Sequence, residues 1–450
     1  PPPPRERDTG RVRRTARGIF FAARTLSAAT ICAEIALAPV GARLFGRLTF
    51  AGLVLNFAAI PLMSVIQIAG LAAAAVAPMS TRVAAAAGWI AHVSTVALLG
   101  SARLVDKAPW LVRDLPPPAL WLIGVWYLGW AGILIGRGRA VRVVAGLTVC
   151  ASAVLILIGP RVSRAFVTPS PPPGWTRVVV LDVGQGDATL VWAPGARPIL
   201  VDAGGVAGSA FDLGRRVTVP ASWAFGVRSL DALVLTHGDP DHIGGAPAVL
   251  RALAPSQVWE GIPVPRHEPL RRLRAAADRA GIPWVEKRSG QTLTLGAASI
   301  RILNPPDPDW ERQKVRNDDS IVLEVRVGDV AFVLPGDITQ AVEPSVAALF
   351  DPAPLVIVKA PHHGSPGSSS PRFIASTHPS AVVFSAGRRN PFGHPAPLVV
   401  DRYRAAGAHV FNTAEDGAVV MDTDGKQVMV WTWTGRRLLL HAPPALHKDH

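Results

Sequence analysis

Charged residues are missing from four long stretches before Pro160 and then recur every few positions to the end of the chain. The uncharged stretches run from Ala51 to Pro78, Val83 to Ala102, Ala119 to Gly136 and Val143 to Gly159. A helix needs about 20 apolar residues to cross a hydrocarbon core, so each predicts a membrane span. A fifth run, Leu26 to Val40, is shorter and carries Glu34. It reads as a helix end buried among others, because an intramembrane carboxylate needs an interior partner. Trp121, Trp126, Tyr127 and Trp130 form only a partial interfacial belt, since two of them fall in mid-span.

The proline-rich "PSPPPGW", residues 169 to 175, marks a linker, after which the pattern changes. Short apolar runs now alternate with polar loops: "RVVVLDVGQGDATLVW", "PILVDAGG", "LVLTHGDPDHIGGA", "AFVLPGDI", "LVIVKAPHHGS" and "AVVFSAG". Runs of this length bounded by turn residues predict strands. Nearly every one ends in a polar cluster, which predicts a layered α/β domain with its site on the rim where strand ends meet. The expected organisation is a multi-span helical region over 1–167, a linker at 168–175, an α/β domain over 176–435 and a tail at 436–450.

Composition fits this division. The 450 residues are 49% hydrophobic yet carry a formal charge of +14, a combination that requires apolar and charged residues to be segregated. The chain opens on Pro1 and a charged "RERDTGRVRRTAR" without the short apolar core of a cleavable signal, so it reads as the C-terminal part of a longer membrane protein. Cys32 and Cys150 both lie in apolar segments, which excludes a disulfide framework or thiolate metal site from the hydrophilic half. Loop charges do not fix orientation: Arg137, Arg139 and Arg142 compete with Arg103, Lys107 and Arg113 on the opposite side.

The densest chemistry lies in "THGDPDHIGG". In an extended loop alternate side chains share a direction, so His237, Asp239 and Asp241 can converge while His242 swings in from the next turn. Imidazole and carboxylate are ligand types that divalent metals accept, and four of them exceed what capping the next helix at Asp241 would require. Asp337 after "FVLPG" and the His362–His363 pair after "VIVKAP" occupy the same place in the strand pattern. Asp337 could bridge two ions while one histidine of the pair completes a shell, an arrangement suited to hydrolysis. "GQGD" at 184–187 lacks the spacing of a nucleotide loop and reads as a tight turn. Ser365 and Ser368 to Ser370 read as loop residues. Zinc fingers, RNP-like aromatic strings and internal repeats do not occur, which excludes the common sequence-specific nucleic-acid modules.

These motifs resemble the metallo-β-lactamase-fold hydrolases. More narrowly, "LDVGQGDATLV", "THGDPDHIGG", "LPGDI" and "APHHGS" after a multi-helix segment resemble the C-terminal portion of the ComEC family, the DNA-internalisation proteins of bacterial competence. "FGRLTFAGLVLNFAAIPL", residues 45 to 62, resembles the late part of that family's membrane region. The resemblance implies an αββα domain holding two divalent ions, Zn²⁺ or Mn²⁺, on His237, Asp239, Asp241, His242, Asp337 and a histidine of the His362–His363 pair. It makes Asp202 an orienting carboxylate and adds "NDDSIVL" from Asn317 and "NPFGHP" with His394 near the site. Asp241, His363 and His394 are the expected catalytic residues. Many metallo-β-lactamase enzymes carry histidine where this chain has Asp239 and another before the bridging aspartate. The shell here is therefore oxygen-rich, which admits Mn²⁺ alongside Zn²⁺.

A basic balance suits a polyanion. Lys359 and Arg389 are expected phosphate contacts, with Arg388 and the Arg271, Arg272, Arg274 group as further cations or as an ordinary solvated surface. The leading expectation is DNA uptake across the cytoplasmic membrane, with a metal-dependent nuclease degrading the strand that does not enter. Non-specific binding of DNA, mainly single-stranded, other competence proteins as partners and a homo-oligomer go with it. So does a multi-pass location with the soluble domain on the outer face. One alternative is a membrane-anchored phosphodiesterase acting on an envelope phosphoester. Another is a channel whose hydrolase fold only binds DNA, disfavoured because binding does not need six ligands.

Overall fold

The computed structural model describes residues 7–158, 168–209, 211–308 and 312–442 and divides into two compact units, 1–165 and 166–450. Arg161 and Arg164, at the expected entrance to the second unit, lie outside the described residues.

Among the described residues of the first unit four helices are long and apolar enough to cross a membrane: Ala23–Phe45 within the helix Arg7–Phe45, Gly52–Val76, Thr81–Ala102 and Arg139–Ile158. This corrects the sequence reading in two places. The run around Leu26 to Val40 is part of a full-length helix despite Glu34, whereas Ala119 to Gly136 yields only Leu120–Ile135. That shorter helix packs closely on Arg139–Ile158, because side chains at Gly129 and Gly132 would collide with Val149 and Ala145. Many of its large apolar side chains face outward, including Leu128, Leu134 and Ile135, as expected of a surface covered by lipid or further helices.

The second unit is built on two sheets among the described residues. The first has nine strands in the order Arg437–His441, Gln427–Thr432, Val419–Thr423, Thr176–Val180, Thr189–Trp192, Ile199–Val201, Ala232–Leu235, Gln257–Glu260 and Trp284–Glu286. It is antiparallel as far as Ile199–Val201 and parallel beyond. The second has seven: His409–Asn412, Ala381–Phe384, Leu355–Lys359, Val330–Leu334, Val322–Val327, Ala298–Asn304 and Thr292–Leu295. Its first four strands are parallel.

Alternation along the strands creates the layers. Val178, Val180, Val191 and Val234 meet Ile300, Leu323, Phe332 and Ile357 between the sheets. Their neighbours Val179, Leu190 and Leu233 face outward onto the helices Ala246–Leu253 and Glu268–Arg279. On the other side Ala331, Val333 and Val358 pack on Val346 and Phe373. The result is the expected αββα stack.

The segment expected to be a tail does not start as one. Arg437–His441 pairs antiparallel with Gln427–Thr432 and extends the first sheet by an edge strand. The exposed Arg437 and His441 at its ends hide this short strand in the sequence.

Candidate metal centre

Parallel pairing brings strand ends to one rim. Ile199–Val201 ends at Asp202, Ala232–Leu235 opens into the loop from His237 to His242, and Val330–Leu334 leads to Asp337. Leu355–Lys359 runs into His362 and His363, and Ala381–Phe384 into Ser385. The polar cluster therefore follows from register.

At its centre His242 Nε2 and His363 Nε2 each lie 3.3 Å from Asp337 Oδ2. Asp241 Oδ2 approaches His363 Nε2 at 3.4 Å, and Asp239 Oδ2 approaches His237 Nε2 at 3.3 Å. The rings of His237 and His242 are 4.1 Å apart. His362 stands farther out, with Nε2 3.8 Å from Asp337 Oδ2 and 3.4 Å from Asn317 Nδ2. His394 faces His362 and His363 at ring separations of 5.7 and 6.4 Å.

The three inner histidines share one arrangement. His242 Nδ1 is 2.7 Å from Asp202 Oδ2, His363 Nδ1 is 2.9 Å from the Ser385 carbonyl, and His237 Nδ1 is 3.1 Å from Thr236 Oγ1. Each Nε2 is buried without a hydrogen-bond partner, as is Asp337 Oδ1. Buried polar atoms are normally satisfied, so these orphans pointing at common carboxylates fit a divalent cation. Asp187, His242, Asp337 and His363 offer ligand-type atoms within 4.8 Å of one another.

Asp202 lies directly behind the histidine loop. Buried at 1% exposure, it accepts from the Thr236 amide at 2.8 Å and the Thr236 hydroxyl at 2.7 Å as well as facing His242. It holds φ at +60°, and His362 and His363 hold +49° and +55°. Such backbone costs about 1–3 kcal/mol per residue and persists where surrounding contacts over-determine it.

Asp187 was not singled out in the sequence. The "GQGD" segment is a turn, but the close approach of Gly186, whose Cβ would lie 2.3 Å from the Asp241 carbonyl, presses Asp187 against the histidine loop. Its Oδ1 lies 3.4 Å from His363 Nδ1, and it faces His242 Nδ1 at 4.0 Å, behind the nitrogens that point at Asp337. The signal available was its position after an apolar run, the rule that found the others.

Asp187 explains Lys359. The ammonium is bonded to Asp187 Oδ2, lies 3.9 Å from Asp337 Oδ1 and is 4% exposed. Lys359 is therefore a buried counter-ion beneath the cluster and not a phosphate contact. Burial alone would raise the Asp187 carboxyl, but Lys359 and then His363 outweigh it and hold it below the usual range. For His242, burial opposes the charged ring, yet Asp337 and Asp202 raise its pKa well above the ordinary value.

Arg271 and Arg272 pair with Glu268, and Arg274 lies 3.8 Å from Glu260 and over Trp284, so this group is committed to local contacts. Arg389 is exposed in the loop before His394 and lines a groove of about 690 Å³ with Arg388 and Asn390.

Residues 5–140 match the family described as competence protein, and residues 181–365 match the metallo-beta-lactamase superfamily. ComE operon protein 3 of Bacillus subtilis (strain 168) is 31% identical over 259 residues, 54% of this chain and 32% of that protein. Competence protein ComA of Neisseria gonorrhoeae is 32% identical over 287 residues, 61% of this chain and 38% of its own length. The uncharacterized protein YcaI of Escherichia coli (strain K12) is 24% identical over 395 residues, 86% of this chain and 47% of its own. The chain thus spans about a third to a half of the length of these relatives. Apolar helices and a competence domain leading into a metallo-beta-lactamase domain, whose buried Asp and His residues suit a divalent metal, are consistent with the ComEC family.

Proposed function

We propose that the second unit is a metal-dependent phosphodiesterase acting on DNA, and that the protein serves DNA uptake across the cytoplasmic membrane in natural transformation. In this reading it degrades the strand that does not enter, with the unit on the outer face of the membrane. The observation that carries the hydrolase reading is the set of three histidines whose Nδ1 atoms are held while their Nε2 atoms are buried, orphaned and turned toward Asp337, Asp239 and Asp241. DNA as substrate is supported by competence-named relatives and by the arginine-lined groove beside His394.

His237, His242, His363, Asp239, Asp241 and Asp337 would hold two divalent ions, Zn²⁺ or Mn²⁺. When bound, such ions supply Lewis-acid polarisation of a phosphoryl oxygen and a nucleophile at neutral pH. The protein's own part is positional. Asp202 and the Ser385 carbonyl fix the His242 and His363 tautomers, and Lys359 keeps Asp187 ionised behind them. His363 is favoured over its neighbour as the inner ligand, because His362 is partly exposed and lies farther from Asp337. His394 is kept neutral by burial and then by His362 and His363, which leaves one ring N–H to donate to a phosphate oxygen.

The test is hydrolysis by the full chain in detergent, stripped of metal and resupplied with Mn²⁺ or Zn²⁺. Metal-dependent release of nucleotides from single-stranded DNA is expected, and Asp241→Ala should abolish it. Failure to cut DNA, with cleavage of a choline-phosphate ester under the same conditions, would favour an envelope phosphoester instead.

A further inference from the structure

The loop from Gly387 to Pro395 carries an aromatic ring that the metal centre does not use. Phe392 is 65% exposed, and its ring is nearly parallel to and offset from that of His394, with 5.9 Å between centroids and an interplanar angle of 27°. Asn390 fixes the loop from inside: its side-chain oxygen accepts from the Phe392 amide at 3.2 Å and the His394 amide at 3.0 Å, while its nitrogen donates to the Gly387 carbonyl at 2.9 Å. Gly387 in turn donates to Gln185 Oε1 at 3.2 Å, tying the loop to the turn that bears Asp187. The ring is thus presented on a braced support.

Arg389, Asn390, Gly393 and His394 line the adjoining groove. Arg404 lies there too but is partnered by Asp401 at 3.6 Å, and Arg388 donates to the Ala414 carbonyl. Arg389 projects from the same loop and is exposed. A half-covered aromatic face beside a cation, one ring away from the metal centre, matches how single-stranded nucleic acids are held, by base stacking and backbone charge. A flexible, non-aromatic phosphoester would leave the ring unused.

We propose that Phe392 is a base-stacking platform, receiving a nucleobase of a single strand on its free face while His394 backs the other and Arg389 meets the adjoining phosphate. The inference rests on the nuclease reading and names the feature by which that site selects nucleotides. No base-specific contact is required of it, so the platform accepts all four bases.

The test compares the full chain in detergent, loaded with Mn²⁺, on an intact single-stranded oligonucleotide and on one abasic at consecutive positions. Wild type should show a KM for the abasic strand about tenfold higher, within the range one stacked base contributes. Phe392→Ala should raise KM for the intact strand to a similar level with kcat retained, and Phe392→Trp should restore the difference. Trp433→Ala, at another exposed aromatic, should leave the ratio as in wild type. A wild type that ignores the missing bases, or a Phe392→Ala variant that keeps the full ratio, overturns the proposal. If wild type cuts neither strand, fluorescence anisotropy of the same oligonucleotides decides. Base-dependent binding lost in Phe392→Ala upholds the platform while the nuclease reading falls, and base-independent binding sinks it.

Discussion

The Nδ1 atom of His242 lies 2.7 Å from Asp202 Oδ2, with both side chains at or below 1% exposure. The same carboxylate accepts from the amide and hydroxyl of Thr236, so one residue braces both the path of the histidine loop and the ring of its last histidine. Asp202→Asn keeps the shape but loses the charge that favours a proton on Nδ1. Metal affinity should fall about 10–100-fold, as for other groups behind a metal-ligating histidine. Competition with a chromogenic chelator measures this, and unchanged affinity would remove Asp202 from the assembly.

Lys359 and Asp187 make a second prediction. Breaking a buried ion pair from one side costs about 3–5 kcal/mol because the remaining charge has no solvent. Lys359→Met should therefore lower thermal stability sharply, and adding Asp187→Leu should recover part of the loss. The double variant should bind DNA with the wild-type salt dependence, since no phosphate contact has been removed. A flatter salt response in the double variant would return Lys359 to the substrate.

What the sequence revealed and what it concealed share one cause. The Asp and His clusters at His237 to His242, at Asp337 and at His362–His363 were legible because each follows its own apolar strand, a local pattern. The layers were legible for the same reason, since alternation at Val178, Val179 and Val180 assigns each side chain to a face. Lys359 was misread because proximity to the histidines along the chain does not reveal that it turns inward to a residue 172 positions away. Asp187 was passed over for the matching reason, as its glycine turn acquires meaning only when Gly186 meets the Asp241 backbone.

Arg389 should account for part of the electrostatic binding that Lys359 does not. Affinity for single-stranded DNA falls with salt by about 0.7 in log–log slope per phosphate neutralised. Arg389→Ala should reduce the slope of the full chain by about one contact and weaken binding to all sequences alike. Equal slopes in variant and wild type, measured by anisotropy across a salt series, would show that the groove beside His394 does not carry the strand.

Metal removal should have an effect that grows with pH. In the metal-free site burial disfavours charged histidine, yet Asp337 leads the carboxylates that raise His242 and His363 well above the ordinary value, with Asp202 acting further on His242 and Asp187 on His363. A raised folded pKa stabilises fully below the unfolded value of about 6.5 and is lost as pH climbs through the folded one. Asp337 is also buried, but His363 and His242 hold its pKa well below the ordinary value, so its contribution is constant above about pH 4 and does not mask the trend. Metal binding requires the same imidazoles to be neutral, so protons must leave as it loads. The stripped protein should lose stability from pH 6.5 upward, and the gain in Tm on adding Mn²⁺ or Zn²⁺ should widen over that interval. Thermal melts of the full chain in detergent, with and without chelator at several pH values, measure both. A metal-induced gain that stays constant or shrinks with rising pH would mean that His242 and His363 are not the groups that bind it.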